Sequence, residues 1–175
     1  MKYNVKTSIE ILERTPVVLE SLLKGISKDW HTPNEGPDTW SAYDVMGHLI
    51  HGEATDWIAR MEIILSNKEE KTFTPFDRFA QFRESKSKSL ANLISEFKKL
   101  RKKNIAILKK KKLKDDDLKK TGIHPKFGTV TLGQLLSTWT VHDLGHIAQI
   151  TRVMAKQYSE EVGPWKEFLP ILTRK

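Results

Sequence analysis

Four long stretches of the chain place apolar residues three and four positions apart, the period of a helix with one buried face. In the first, Thr7 or Ser8 can cap a helix bearing Ile9 and Leu12, and Thr15-Pro16 reads as a restart carrying Val18, Leu19, Leu22, Leu23 and Ile26. Trp30 to Trp40 holds Pro33, Gly36 and Pro37 and reads as a loop. Ser41 with Asp44 forms the signature of a capping box opening a second helix, which runs to about Ser66 on a stripe of Met46, Leu49, Ile50, Trp57, Met61 and Ile64.

Residues 67–83 have no clear period. A third helix from about Glu84 carries Leu90, Leu93, Ile94, Phe97, Leu100 and Leu108 and ends in a lysine run, where cations suit the negative end of the helix dipole. Asp115 to Asp117 suit the start of a short turn, and Gly122 to Gly128 reads as a loop. Thr131 then caps a fourth helix reaching about Gln157, and Trp165 to Leu172 forms a short closing helix after Gly163-Pro164. No strand pair and no internal repeat stands out. The pattern predicts one all-α domain over residues 1–175, a four-helix bundle with long crossover connections and a short C-terminal helix.

Composition narrows the function classes. A chain of 175 residues with 38% apolar and 30% charged positions is a globular domain with a real core. No apolar run reaches the length of about 20 residues that spans a bilayer, and the first residues lack the apolar core of a signal peptide. The absence of cysteine removes disulfides, thiolate ligands and a cysteine nucleophile, and predicts a cytoplasmic address without a membrane partner. The net charge of +8 is local: ten Lys and Arg and no acid lie between Lys98 and Lys114, leaving 20 basic residues against 22 acidic ones elsewhere. Such a run reads first as a solvated helix face; nucleic-acid binding through 98–114 is the less favoured reading, because no aromatics are interleaved to stack bases.

The chemistry lies in the histidines. His142 and His146 are four residues apart on the fourth helix, so their rings stack on one face about a turn apart. On a helical wheel they fall at the rim of the buried face, flanked by Leu135 and Val153, with Thr138 and Gln149 just beyond. That placement suits a metal site with an open coordination position. A third ligand must come from elsewhere, and the second helix offers both His48 and His51; spacing does not choose between them. Glu53 and Asp143 fall oddly within apolar faces, either paired with an arginine or hydroxyl, or accepting the second N–H of a ligand histidine or serving as a general base. His31 and His124 sit in loops and read as structural, and Trp57, Trp139 and Trp165 read as core.

Taken together, Trp40-Ser41, Gly47-His-Leu49 with Glu53 and Trp57, His124-Pro-Lys-Phe-Gly128, and Val141-His-Asp-Leu-Gly-His-Ile-Ala-Gln149 resemble the DinB-like superfamily of four-helix metalloproteins across nearly the whole chain. The resemblance implies a bundle with crossovers, often a homodimer. It also implies a divalent metal held by one histidine of the second helix and two of the fourth, which here are His48, His142 and His146. Relatives include small-thiol-dependent transferases or isomerases and proteins called hydrolases, so the reaction and the catalytic residues stay open. Three imidazoles suit Zn, Ni or Fe without choosing among them. Such an ion can activate water, polarise a carbonyl, or take up a low-molecular-weight thiol as a co-substrate, supplying the nucleophile a cysteine-free chain lacks. The expectation is a metal-dependent transferase or hydrolase acting on a small-molecule substrate, with a non-catalytic metal-binding sensor or stress-response bundle as the alternative.

Overall fold

The computed structural model describes residues 1–173; Arg174 and Lys175, the end of the predicted domain, lie outside the described residues. In chain order the elements are α1 (Val5–Leu23), α2 (Lys28–His31), α3 (Ala42–Thr55), α4 (Trp57–Leu65), α5 (Gln81–Glu84), α6 (Leu90–Lys111), α7 (Asp115–Leu118), β1 (Thr121–His124), β2 (Gly128–Thr131), α8 (Leu132–Lys156), a 3-10 turn (Gly163–Phe168) and α9 (Pro170–Thr173). The predicted all-α four-helix bundle is present. Helix α1 packs on α6 and α8, and α3 packs on the same two, so α1 and α3 face each other across the bundle diagonal. The links from α1 to α3 and from α6 to α8 therefore cross the bundle end, whereas α3–α4 and α6 are neighbours despite the long segment joining them.

Several boundaries follow from capping chemistry. The Ser41–Asp44 box and a second box, Thr131–Gln134, open α3 and α8 as expected. Asn4, not Thr7 or Ser8, caps α1 by accepting from the amides of Lys6 and Thr7. Ser89 accepts from the Asn92 amide, so α6 begins at Leu90 and not near Glu84. Gly47 explains how α5 reaches α3: a Cβ there would stand 2.9 Å from Cβ of Gln81 and closer still to the Ser85 hydroxyl.

Five further expectations need correcting. The second helix is not continuous to Ser66, because Asp56 leaves helical geometry (φ −109°, ψ −75°) and divides α3 from α4. Residues 122–128 are not all loop. Thr121–His124 pairs antiparallel with Gly128–Thr131, turning through Gly128 at φ 69°, and Phe73 and Lys71 bond to Ile123 to brace the hairpin. Two strands of four residues are too short to show a period in the sequence. The Trp30–Trp40 loop begins inside α2, which buries His31. Trp165 is 70% exposed and not core, since it lies on the 3-10 turn, which packs against α9.

The fifth concerns Thr15-Pro16, which is no restart: α1 runs straight through it. Proline lacks the N–H that would bond to the carbonyl four residues back, here Leu12. That carbonyl instead accepts from Arg101 Nη1 at 2.9 Å. Arg101, though it belongs to the lysine run, is 1% exposed and points into the bundle. Its guanidinium forks onto Asp143 of α8, with 2.9 Å from Nη2 to Oδ1, and donates to Glu53 of α3 at 2.8 Å. Glu53 also accepts from Asn104 Nδ2 at 3.0 Å and Trp139 Nε1 at 2.9 Å. Burial pushes the Glu53 carboxyl above the usual carboxylate range, and the opposing charge of Arg101, shared with Asp143, does not fully offset it.

On α6 this cluster falls between Phe97, in a core with Leu19, Met46, Leu49 and Ile150, and Ile105, in a core with Leu12, Met61, Leu136 and Trp139. Removing one partner of a buried charge network leaves the others uncompensated, at a cost of about 3–5 kcal/mol. Arg101→Met should lower the unfolding free energy by about that much in urea titrations. A loss under about 1 kcal/mol would show the cluster to be dispensable.

Candidate metal centre

Helix α3 supplies His48 and helix α8 supplies His142 and His146, and the three rings meet. The Nε2 atoms of His48 and His142 are 3.1 Å apart, and those of His142 and His146 are 3.0 Å apart. One nitrogen from each ring lies within 4.8 Å of the others. Nitrogens bound tetrahedrally to zinc at about 2.0–2.1 Å sit about 3.3 Å from one another, so the two pairs that include His142 are already near the spacing that holds an ion. His51, the other candidate on α3, stays outside the cluster: its Nδ1 pairs with Glu84 at 3.1 Å and its ring packs on Phe76.

Hydrogen bonding fixes part of the proton arrangement. His146 Nδ1–H donates to Gln149 Oε1 at 2.8 Å, which leaves Nε2 of that ring as a lone pair aimed at His142. Neutral imidazole has one N–H. A single proton on His142 Nε2 could serve both neighbours only in a divided bond, whereas a cation at the centre satisfies all three nitrogens at once. Burial, reinforced by the charge of the neighbouring histidines, lowers His48 to about 3 and His142 to about 2, and burial also lowers His146. For His48 the charge of Arg78 is a smaller contribution in the same direction. Neutral rings are the form that ligates a metal.

The surroundings hold the rings from outside. Trp57 sets its edge 5.0 Å from the His142 ring and stacks at 5.9 Å on Trp139, whose N–H reaches Glu53. The chain of contacts thus runs from the histidines to Arg101. Glu53 and Asp143, however, do not touch a ligand histidine: both are committed to Arg101, so of the two readings open for them the pairing with an arginine is the one observed. The Nδ1 atoms of His48 and His142 are buried with no protein partner among the described residues.

The cluster opens into a cavity of about 570 Å³, lined among others by Trp40, Asp56, Trp57, Phe76 and Arg78. Trp40 lies 4.8 Å from the His48 ring and nearly parallel to His146, and Phe76 meets His48 edge-on at 5.4 Å. Glu35 fastens the loop carrying Trp40 by a two-pronged pair with Arg152 (2.9 and 2.7 Å) and a contact to Lys156 at 3.0 Å; the Arg152 bond holds its carboxyl below the usual range. Asp56, paired with Arg60, is a buried carboxyl raised by desolvation. His124 lines the cavity mouth while its Nδ1 accepts from the amides of Lys126 and Phe127, closing the hairpin turn. His31 is buried beside Tyr43, away from the cluster.

Asp56, Phe76, Arg78 and Arg152 carried no sequence signal as site residues, since three sit at a helix break or in aperiodic segments. Arg101 did carry one: Ile94, Phe97, Arg101, Asn104 and Leu108 follow the helical period that places it on the buried face.

Comparison with known proteins adds two findings. The family profile described as DinB superfamily matches residues 11–150. The structure of YfiT from Bacillus subtilis, described as a probable metal-dependent hydrolase with an unusual four-helix bundle topology, superposes with a TM-score of 0.71 at 23% identity, covering 90% of this chain and 87% of that one. At that identity the likeness is one of fold. No curated protein sequence matches the chain.

The depressed histidines have a consequence for the metal-free protein. Their folded values of about 3 and 2 lie below the unfolded value near 6.5, so the unfolded chain binds more protons and stability is lost as pH falls from about 6.5 toward those values. Unfolding free energies from urea titrations between pH 7 and 4 should fall more steeply for the chelated wild type than for His142→Gln, by up to about 1.4 kcal/mol per pH unit. Identical slopes would mean that His142 is not kept neutral by the fold.

Proposed function

The chain belongs to the DinB superfamily, and from that premise we propose that it is a metal-dependent enzyme whose divalent ion is held by His48, His142 and His146. The single observation that carries this reading is the convergence of three neutral imidazole nitrogens from two helices at the inner end of an open cavity. A donor set of three nitrogens suits Zn, Ni or Fe. The ion would supply Lewis acidity, polarising a substrate carbonyl or lowering the pKa of a small thiol.

The protein's own contribution is placement. Trp40 and Phe76 cover the flanks of His48 and keep bulk water off that side. Gln149 holds the His146 ring in the ligating tautomer, and Trp57 fixes the orientation of His142. Asp56 is the buried carboxyl on the cavity wall suited to take a proton from an incoming thiol or water, since burial keeps its affinity for protons high. The reaction is either hydrolysis, as described for the similarly folded YfiT, or transfer of a small thiol to an electrophilic small molecule. The lysine run is not part of this reading: Lys98 and Lys109 are tied to Glu20 and Glu13 on α1, and Arg101 is internal.

Elemental analysis tests the site and turnover tests the chemistry. Purified wild type should carry about one divalent ion per chain. His48→Ala, His142→Ala and His146→Ala should each lose it, while His51→Ala keeps it. Wild type that stays metal-free at neutral pH after incubation with Zn, Ni or Fe would overturn the proposal. Loaded protein should then turn over either an ester and amide panel or an electrophile supplied with a small thiol. Full metal retention with no turnover in either panel would identify a binding protein in place of an enzyme.

A further inference from the structure

Three arginines line the cavity that opens on the histidine cluster, and two of them are neutralised. Arg60 pairs with Asp56, and Arg152 with Glu35. Arg78 is different. Among the described residues its guanidinium meets no carboxylate; it is held instead over aromatic faces, 6.0 Å from the Trp40 ring and 5.4 Å from that of Phe79. Its sequence neighbour Asp77 does not neutralise it, being committed to Arg83. Trp40 in turn lies 4.8 Å from the His48 ring, so Arg78 stands one indole away from the cluster.

Charge within the cluster points the same way. Three neutral imidazoles would leave the two positive charges of a divalent ion uncompensated. The buried carboxylates around it are engaged by arginines, Asp143 and Glu53 by Arg101, and Asp56 on the cavity wall by Arg60. A ligand in this cavity therefore meets excess positive charge at its inner end and a partnerless arginine fork along its wall, with indole between them. Of the three acids on the lining, Glu35 and Asp56 are paired with Arg152 and Arg60, and Asp38 is an exposed residue of the same loop as Trp40.

We propose that the cavity takes a small molecule with a carboxylate held by Arg78, an apolar body lying along Trp40, and its reacting end at the histidine cluster. Arg78 is thereby a residue that determines specificity. This rests on the metal-site reading above, which makes the reacting end that of a metal-coordinating group. A guanidinium fork matches a carboxylate with two parallel hydrogen bonds, and the aromatic faces that hold it restrict its swing.

Cobalt-loaded protein provides the test, because thiolate coordination to cobalt gives an optical charge-transfer band independent of turnover. The probes are ω-mercapto carboxylates of increasing chain length, the matching mercapto alcohols and the matching mercapto amines. At the best-fitting length the carboxylate should bind at least about tenfold more tightly than the alcohol, and the amine most weakly, as expected when a charge-assisted bond is gained. Arg78→Gln should abolish that preference with cobalt content unchanged. Arg78→Lys should restore part of it, and Arg14→Gln, at an exposed arginine of α1 outside the cavity lining, should leave it intact. Failure to load cobalt would remove the metal-site reading and this inference together. Cobalt loading with equal or absent responses to carboxylate and alcohol, or a preference that survives Arg78→Gln, would overturn this inference alone.

Discussion

One guanidinium touches all four long helices. Arg101 belongs to α6, donates to a backbone carbonyl of α1, and reaches a carboxylate on α3 and another on α8. Each of those partners would be costly to bury alone: a carbonyl freed by proline, and two acids set into apolar helix faces. Together they satisfy one another, and the arrangement works only when the four helices stand at one particular height relative to each other. A bundle held by leucines alone can slide with modest loss. This one has a fixed origin.

The histidine cluster inherits that origin. Asp143 directly follows His142 in sequence, and Trp139, bonded to Glu53, stacks on the indole that meets the His142 ring. The groups that set the relative height of α3 and α8 are therefore the groups on which the distance from His48 to His142 depends. Structural and chemical parts of the sequence are interleaved on the same helix turns, with acids facing inward to the arginine and imidazoles facing the cavity.

Much of this was legible in the chain before any coordinates. Helical period gave the four long elements, and capping signatures gave the starts of α3 and α8 to the residue. The four-residue spacing of His142 and His146 placed both on one rim, because that relation is local to one helix. The choice of His48 over His51 was not local. It depends on which side of α3 faces α8, and both histidines are buried, so burial could not separate them. The resemblance to known bundles pointed to His48; the packing shows why, since Glu84 claims the other ring. The hairpin and the cavity residues between 67 and 83 escaped notice because their order comes from contacts distant in sequence, such as Phe73 and Lys71 with Ile123. Arg101 was hidden by composition: ten cations within seventeen residues suggest a wet surface, and only the period shows that one of them faces the other way.

The diagonal placement of α1 and α3 reaches beyond the fold. Residues 48 and 142 are separated by nearly a hundred positions, and the chain must cross the bundle end between α6 and α8 before the second of them arrives. During synthesis the first imidazole thus emerges long before its companions, onto a surface with no partner helix to shield it. Metal capture at the cluster would then be a late event, available only to a chain whose last long helix has docked. An ion in this site would act as a seal on completed assembly, recording that α3 and α8 have found their places.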